Sequence, residues 1–256
     1  MQPYFFPYVG YFALMSLSDE WVALDVTQYT PQSWMNRNRI LHPTNGWMYI
    51  TAPVVRAPEK SPIEDMRLVD IAATKAAIVG RLSHYKRTAP HYADVTDLVV
   101  AAFGACHGDS LAELNVSGLK AVLHYLGVGC RVRVCSEMGL DLSGVSHAGG
   151  WAPAIASALG ADEYVNPIRG RGLFRPADFA NAGIRLRFLR MPSVTYPTNG
   201  FGFEPDLSIL DVLMWNSPAQ VKALLEAAEL IDAADAANPG DPGDAGDPGD
   251  AGEPGG

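Results

Sequence analysis

The strongest constraint on the fold is an alternation between short strand-like runs and longer runs near helical period. Trp21-Val22-Ala23-Leu24-Asp25 reads as a short buried strand that ends in a carboxylate. Arg39-Ile40-Leu41-His42 and Trp47-Met48-Tyr49-Ile50-Thr51 flank Thr44-Asn45-Gly46, a hairpin signal because Asn and Gly tolerate the positive φ of a tight turn. A helix is expected over 94–103. Ser110-Leu111-Ala112-Glu113 has the form of a capping box and opens a second helix, in which Leu111, Leu114, Val122, Leu123 and Leu126 recur near helical spacing until Gly127. Arg131-Val132-Arg133-Val134-Cys135 alternates as a half-buried strand. A helix over 151–159, a strand at 163–165, a short helix over 176–182 and a strand over 184–188 follow. Ser217-Pro218 caps a last helix expected to run to about residue 231. Strands separated by helices predict an α/β fold: a layered, mainly parallel sheet flanked by helices.

One domain is expected over 1–236, followed by an acidic tail over 237–256. Residues 238–256 repeat Pro, Gly, Asp and Ala, with no aromatic and no branched apolar side chain, so they cannot offset their ordering entropy and should be disordered. Glycine recurs there every third residue, but the segment is too short for a collagen helix. Net charge is −9, and it is concentrated at this end. Nine of the 28 acids follow Lys222 and no base does, which leaves 19 acids against 19 bases over residues 1–222. A neutral body gives no electrostatic case for binding nucleic acid.

Other classes fall away in turn. No apolar run approaches the length of a membrane span, and the N-terminus lacks a basic region of the signal-peptide kind. Three cysteines do not make a disulfide framework, and no His/Cys/Asp cluster has zinc spacing. The expected compartment is the cytoplasm. There is no Gly-x-Ser-x-Gly nucleophile elbow and no phosphate-binding glycine fingerprint; Asn166-Pro167-Ile168-Arg169-Gly170-Arg171-Gly172 reads as a turn.

Three segments could carry chemistry. Tyr4, Phe5, Phe6, Tyr8, Tyr11 and Phe12 are six of the first twelve residues and a quarter of the 24 aromatics. Pro3 and Pro7 exclude a regular helix there, and Gly10 leads into a helix start. Such a loop can stack a ligand over a helix N-terminus, or it can plug the core. In Trp34-Met35-Asn36-Arg37-Asn38-Arg39-Ile40, an extended backbone puts Arg37 and Arg39 on one face and Asn36 and Asn38 on the other. Paired guanidinium forks suit a phosphate or carboxylate, while the alternative is a solvated strand with salt bridges, Asp25 or Asp211 being candidate partners. His84, in Arg81-Leu82-Ser83-His84-Tyr85-Lys86-Arg87, could act as acid or base near neutrality, or be a surface group.

Taken in order, Gln2-Pro3-Tyr4-Phe5-Phe6-Pro7-Tyr8-Val9-Gly10-Tyr11-Phe12, Asp25-Val26-Thr27-Gln28-Tyr29 and Trp34-Met35-Asn36-Arg37-Asn38-Arg39-Ile40 resemble the WbqC-like protein family. Tyr85-Lys86, Ala89-Pro90-His91-Tyr92, Leu111-Ala112-Glu113-Leu114-Asn115 and Leu207-Ser208-Ile209-Leu210-Asp211-Val212-Leu213-Met214 extend the resemblance to about residue 225. It implies a context in bacterial O-antigen, surface-polysaccharide or natural-product biosynthesis. The expectation is a transferase that moves an acyl or aminoacyl group onto an activated sugar or metabolite. The alternative is a non-catalytic binding or assembly protein of the same pathway. Catalytic candidates are Asp25 and His84. The substrate-binding set is Gln2, Tyr4, Tyr8, Trp34, Asn36, Arg37, Asn38, Arg39, Lys86 and Tyr92, with a sugar nucleotide or activated acyl donor as ligand. No motif names a cofactor or an oligomeric state. Relatives usually carry a short apolar strand before the Gln-Pro motif, so Met1 is expected not to be the natural start. The opening also resembles nucleotidyl-transferring α/β enzymes, but Pro7-Tyr8-Val9-Gly10-Tyr11 lacks both histidines of their His-x-Gly-His motif.

Overall fold

The computed structural model describes residues 1–237; the segment 238–256, expected to be disordered, lies outside the described residues. In chain order the elements are α1 (Val9–Ser16), β1 (Glu20–Ala23), β2 (Arg37–Leu41), β3 (Trp47–Thr51), α2 (Ile71–Leu82), α3 (Tyr92–Gly104), α4 (Leu111–Leu126), β4 (Arg131–Val134), α5 (Trp151–Ala158), β5 (Glu163–Pro167), α6 (Pro176–Asn181), β6 (Arg185–Arg190), α7 (Ile209–Trp215), α8 (Pro218–Glu226) and β7 (Glu229–Asp232). They fall into two compact units: Met1–Met138 with Ser193–Glu226, and Gly139–Pro192 with the described residues from Ala227 on.

The class is mixed α/β, as expected; among the described residues the strands form three small sheets, so the layered, mainly parallel sheet is present only in part. β1 pairs with β4 in parallel, and β2 with β3 antiparallel. In the second unit β6 lies between β5, parallel, and β7, antiparallel. Parallel pairing therefore accounts for two of the four strand contacts. On the far side of β1 the Met1 nitrogen donates to Val22 O (2.8 Å) and Met1 O accepts from Leu24 N–H (2.8 Å), the pattern of a parallel neighbour. The carboxyl ends of Met1, β1 and β4 thus place Gln2, Asp25 and Ser136 along one edge.

Local chemistry explains most boundaries. Ser110 Oγ accepts from Glu113 N–H (3.3 Å), while Glu113 Oε1 accepts from His107 N–H (2.9 Å) instead of closing the reciprocal bond; Gly127 ends α4 in the left-handed region at φ 61°. At α8 the reciprocal box is complete: Ser217 Oγ accepts from Gln220 N–H (3.4 Å) and Gln220 Oε1 from Ser217 N–H (2.8 Å). The last helix stops at Glu226, short of the expected residue 231, because residues 229–232 pair with β6. There Asp232 receives a fork from Arg185, Nε to Oδ1 at 3.0 Å and a terminal nitrogen to Oδ2 at 2.8 Å.

The core of the first unit is built around α1 and α7, whose faces are buried all round. Residues 9–15 of α1 and all seven of α7 are buried, so neither shows a helical stripe. α1 packs on α8, α4 on both α3 and α8, and α7 on α3 and β2. The second unit has its own core, in which Phe179, Phe188, Ile184 and Leu186 pack together.

Candidate functional site

The aromatic loop divides its rings between two jobs. Phe5 and Phe6 are buried to within 1% and stand edge to face at 5.0 Å; Tyr11 and Phe12 of α1 are buried beneath them. Phe6 sits at φ 40°, a costly conformation for a residue with a Cβ, so the surroundings must hold it. They do so through its carbonyls. Asn38 Nδ2 donates to Phe5 O (3.1 Å) and Phe6 O (2.9 Å), and Ser208 Oγ donates to Phe6 O (2.7 Å). Asn115 Nδ2 donates to Pro3 O (2.8 Å), Phe5 N–H to Trp34 O (2.8 Å) and Ile209 N–H to Pro7 O (2.8 Å). Gly118 leaves room for Phe6, since a Cβ there would lie 3.2 Å from its ring; at Gly10 a Cβ would lie 2.4 Å from the Tyr8 ring. Tyr4 and Tyr8 are half-buried. Tyr4 stacks on Tyr11 at 5.1 Å and Tyr8 meets the same ring edge-on at 6.0 Å.

β2 shows the alternation read from its residues: Asn36 and Asn38 are buried, and Arg37 and Arg39 face outward, half-exposed. Arg37 lies 4.1 Å over the Tyr49 ring. Arg39 lies 5.2 Å from the Trp34 ring and 5.1 Å from Trp47, which is itself 39% exposed. Among the described residues neither guanidinium meets a carboxylate within 4.0 Å; Arg39 donates to the Asp206 carbonyl at 3.3 Å, and its Nε is buried without a hydrogen-bond partner. The two carboxylates that could have paired with them are engaged elsewhere. Asn36 Nδ2 donates to Ala52 O (3.2 Å), and its Oδ1 is unpaired.

Asp25 is 1% exposed, and both its oxygens are taken by Ser136, Oδ1 from the N–H (3.0 Å) and Oδ2 from the hydroxyl (2.6 Å). Gln2 bridges the same edge, donating to Thr27 Oγ1 (3.2 Å) and accepting from the Tyr4 hydroxyl (3.4 Å). Sequence reasoning missed Glu64 and Ser136. Glu64 N–H donates to Asp25 O (3.0 Å); burial, then the neighbouring Asp25 and Asp65 charges, raise its carboxyl above the usual range. Adjacent Ile63 packs with Tyr4 and Tyr29, and Tyr29 lies within the field of Arg37. Gln2, Tyr4, Asp25, Glu64, Tyr29 and Arg37 therefore form a linked series from the strand ends to the β2 face.

His84, Lys86 and Tyr92 lie elsewhere, around the α2–α3 connection, and no hydrogen bond or ring contact joins them to the loop among the described residues. The His84 ring stacks on Tyr85 (4.0 Å), its Nδ1 lies 2.7 Å from Arg81 O, and burial lowers its pKa. Tyr85 belongs to a buried node. Asp211, fully buried, accepts from the Tyr85 hydroxyl, from Tyr196 (3.0 Å) and from Leu41 N–H (3.0 Å). Lys86 is exposed, and Tyr92 opens α3 half-buried.

No grouping of His, Cys, Asp and Glu suited to a metal occurs among the described residues, nor any helix long and apolar enough to cross a membrane. No solved structure matches the chain. It is 29% identical over 218 residues to the uncharacterized protein Rv1507c of Mycobacterium tuberculosis (strain ATCC 25618 / H37Rv), covering 83% of this chain and 90% of that one. The model of the WbqC-like protein family matches residues 2–223, which takes in the aromatic loop, both arginines and the strand-end carboxylates: the chain belongs to the WbqC-like protein family.

Proposed function

We propose that the protein is a transferase acting on an anionic activated donor, a sugar nucleotide or an activated acyl compound, in bacterial surface-polysaccharide or natural-product biosynthesis. The observation that carries this reading is the outer face of β2. Two guanidinium groups, two residues and so roughly 7 Å apart, have no carboxylate partner among the described residues and are braced by Tyr49, Trp34 and Trp47. Rings orient the forks without neutralising them, which leaves their charge for a phosphate or carboxylate, and the same rings give a base or sugar a stacking surface. Tyr4 and Tyr8 extend that surface. Asn36 and Asn38 serve it indirectly, by fixing the strand and the loop.

Proton transfer in this reading belongs to the strand-end group. Asp25 is reached through the Ser136 hydroxyl, and Glu64 beside it is the carboxyl held above its ordinary range, which brings it closer to a working base at neutral pH. His84 is the competing candidate. The test is isothermal titration of the full chain with UDP-N-acetylglucosamine and with acetyl-coenzyme A, followed by product analysis with amino sugars as acceptors. Saturable binding of either donor that Arg37→Ala weakens at least tenfold supports the reading. Binding without product under all acceptors selects the non-catalytic alternative, and no binding of either donor refutes the anion site.

A further inference from the structure

The second unit contains a cleft of about 380 Å³ formed by the residues before α5, one side of α5, and α6 with the residue after it. Its volume lies within the range of small-molecule sites. The floor is apolar, from Leu142, Val145, Pro153 and Ala182, and the polar groups are Asp141, Asp178, His147, Ser146 and Ser157. No lysine or arginine lines it. Its electrostatic character is therefore opposite to that of the β2 face, and an anionic ligand would meet two carboxylates with no fixed cation.

The polar groups are held in place. Asp141 Oδ1 accepts from the Ser143 N–H (3.1 Å) and hydroxyl (2.6 Å); these bonds hold the carboxyl below its usual range and leave Oδ2 unassigned. Asp178 Oδ2 lies 3.5 Å from His147 Nε2 and, though shielded from water, has no hydrogen-bond partner. The Asp178 side chain is 32% exposed, so beyond its contact with His147 the carboxylate can still take a hydrogen bond from a ligand N–H. Gly149 lets the wall close: a Cβ there would lie 2.1 Å from Leu173 O, so this backbone approach requires glycine.

We propose that this cleft binds a small hydroxylated primary amine of the amino-sugar class. The ammonium is held by the Asp141 and Asp178 carboxylates, and the hydroxyls lie against Ser146, Ser157 and His147. The assignment rests on the second unit alone and is independent of the β2 site. It is tested by amide NMR titration of the full chain with glucosamine, glucose and glucose 6-phosphate.

Glucosamine should move the amide signals of residues 143–150 saturably, glucose should do so far more weakly, and glucose 6-phosphate not at all. Asp141→Asn keeps the acceptor for Ser143 but removes the charge, and should weaken glucosamine about three- to tenfold. Asp141 is exposed, so that variant folds, and Asp178→Asn gives a second reading of the same charge requirement. Absence of a saturable glucosamine response, an equal response to glucose or glucose 6-phosphate, or undiminished affinity in Asp141→Asn overturns the proposal.

Discussion

Asn36 and Asn38 are indistinguishable by residue type and both are buried, yet their amides carry unequal loads, and truncating each to alanine should show it. Asn38 makes three bonds. Its Nδ2 bonds the carbonyls of Phe5 and Phe6, and its Oδ1 accepts from Arg39 N–H at 2.8 Å. Asn38→Ala leaves Phe5 O and Arg39 N–H without those partners in a site only 4% exposed, while Phe6 O keeps Ser208. At about 1–3 kcal/mol for each of these two buried groups left unsatisfied, the expected loss is about 2–6 kcal/mol. Asn36 makes one bond, to Ala52 O, and its Oδ1 is already unpaired; Asn36→Ala removes that unpaired oxygen as well, and the expected loss is about 1–2 kcal/mol. In a chain of this length each kcal/mol lowers Tm by roughly 2–4 °C, so Asn38→Ala should melt about 4–24 °C below the parent and Asn36→Ala about 2–8 °C below. Differential scanning calorimetry measures both. An Asn36→Ala variant at least as destabilised as Asn38→Ala would refute the claim that the Asn38 amide holds the aromatic loop.

The other perturbations each act at one side chain. Asp211→Leu strips the acceptor from the Tyr85 and Tyr196 hydroxyls and leaves Leu41 N–H only the Tyr85 oxygen (2.9 Å), and should cost about 3 kcal/mol or more, whereas Asp211→Asn keeps an acceptor, removes a buried charge and should cost under about 1.5 kcal/mol by urea unfolding. Burial raises the Asp211 pKa despite those three donors, so the folded state takes up its proton at higher pH than the unfolded chain. This group's contribution to stability therefore falls as pH rises from the ordinary carboxylate value through the folded one, and Asp211→Asn should remove that part of the slope. His84 has the opposite sign: its lowered pKa means the folded state binds the proton less readily, so stability is lost as pH falls below about 6.5, and His84→Gln should flatten a thermal-melt series there. Ser208→Ala leaves Phe6 O with Asn38 but also removes the cap that accepts from Leu210 N–H (3.2 Å) at the start of α7, and should cost about 1–3 kcal/mol.

What could be read from residues alone was what depends on neighbours in the chain. The Asn45-Gly46 turn, the Ser110 and Ser217 caps, the Gly127 stop and the two faces of β2 all rest on local geometry, and each is present. The end of α8 was not legible, because β7 exists only by pairing with β6 and by the Arg185–Asp232 fork across 47 residues. α7 gave no period, since it is buried on every side. Splitting into three sheets was equally hidden: β1 and β4 are short and separated by more than 100 residues, and nothing in their patterns states which edges meet. In the site, Arg37 and Arg39 stood out by composition. Ser136 did not, because its importance comes from Asp25, 111 residues away, and Glu64 sits within a single short helical turn, Ile63–Asp65.

The central claim, that Arg37 and Arg39 form an anion site, is tested most directly by ligand-induced stabilisation of Arg37→Lys and Arg39→Lys beside the parent chain. A donor at a hundred times its Kd stabilises the parent by about 2.7 kcal/mol, or roughly 5–10 °C in Tm. Lysine keeps the charge but loses the planar fork, at a cost of about 1.5–3 kcal/mol in binding, so each variant should retain half or less of that shift at the same concentration. Without ligand, both should melt within about 2 °C of the parent, since no carboxylate partner is lost. An undiminished UDP-N-acetylglucosamine or acetyl-coenzyme A shift in both variants would contradict the account, as would a large loss of stability without ligand.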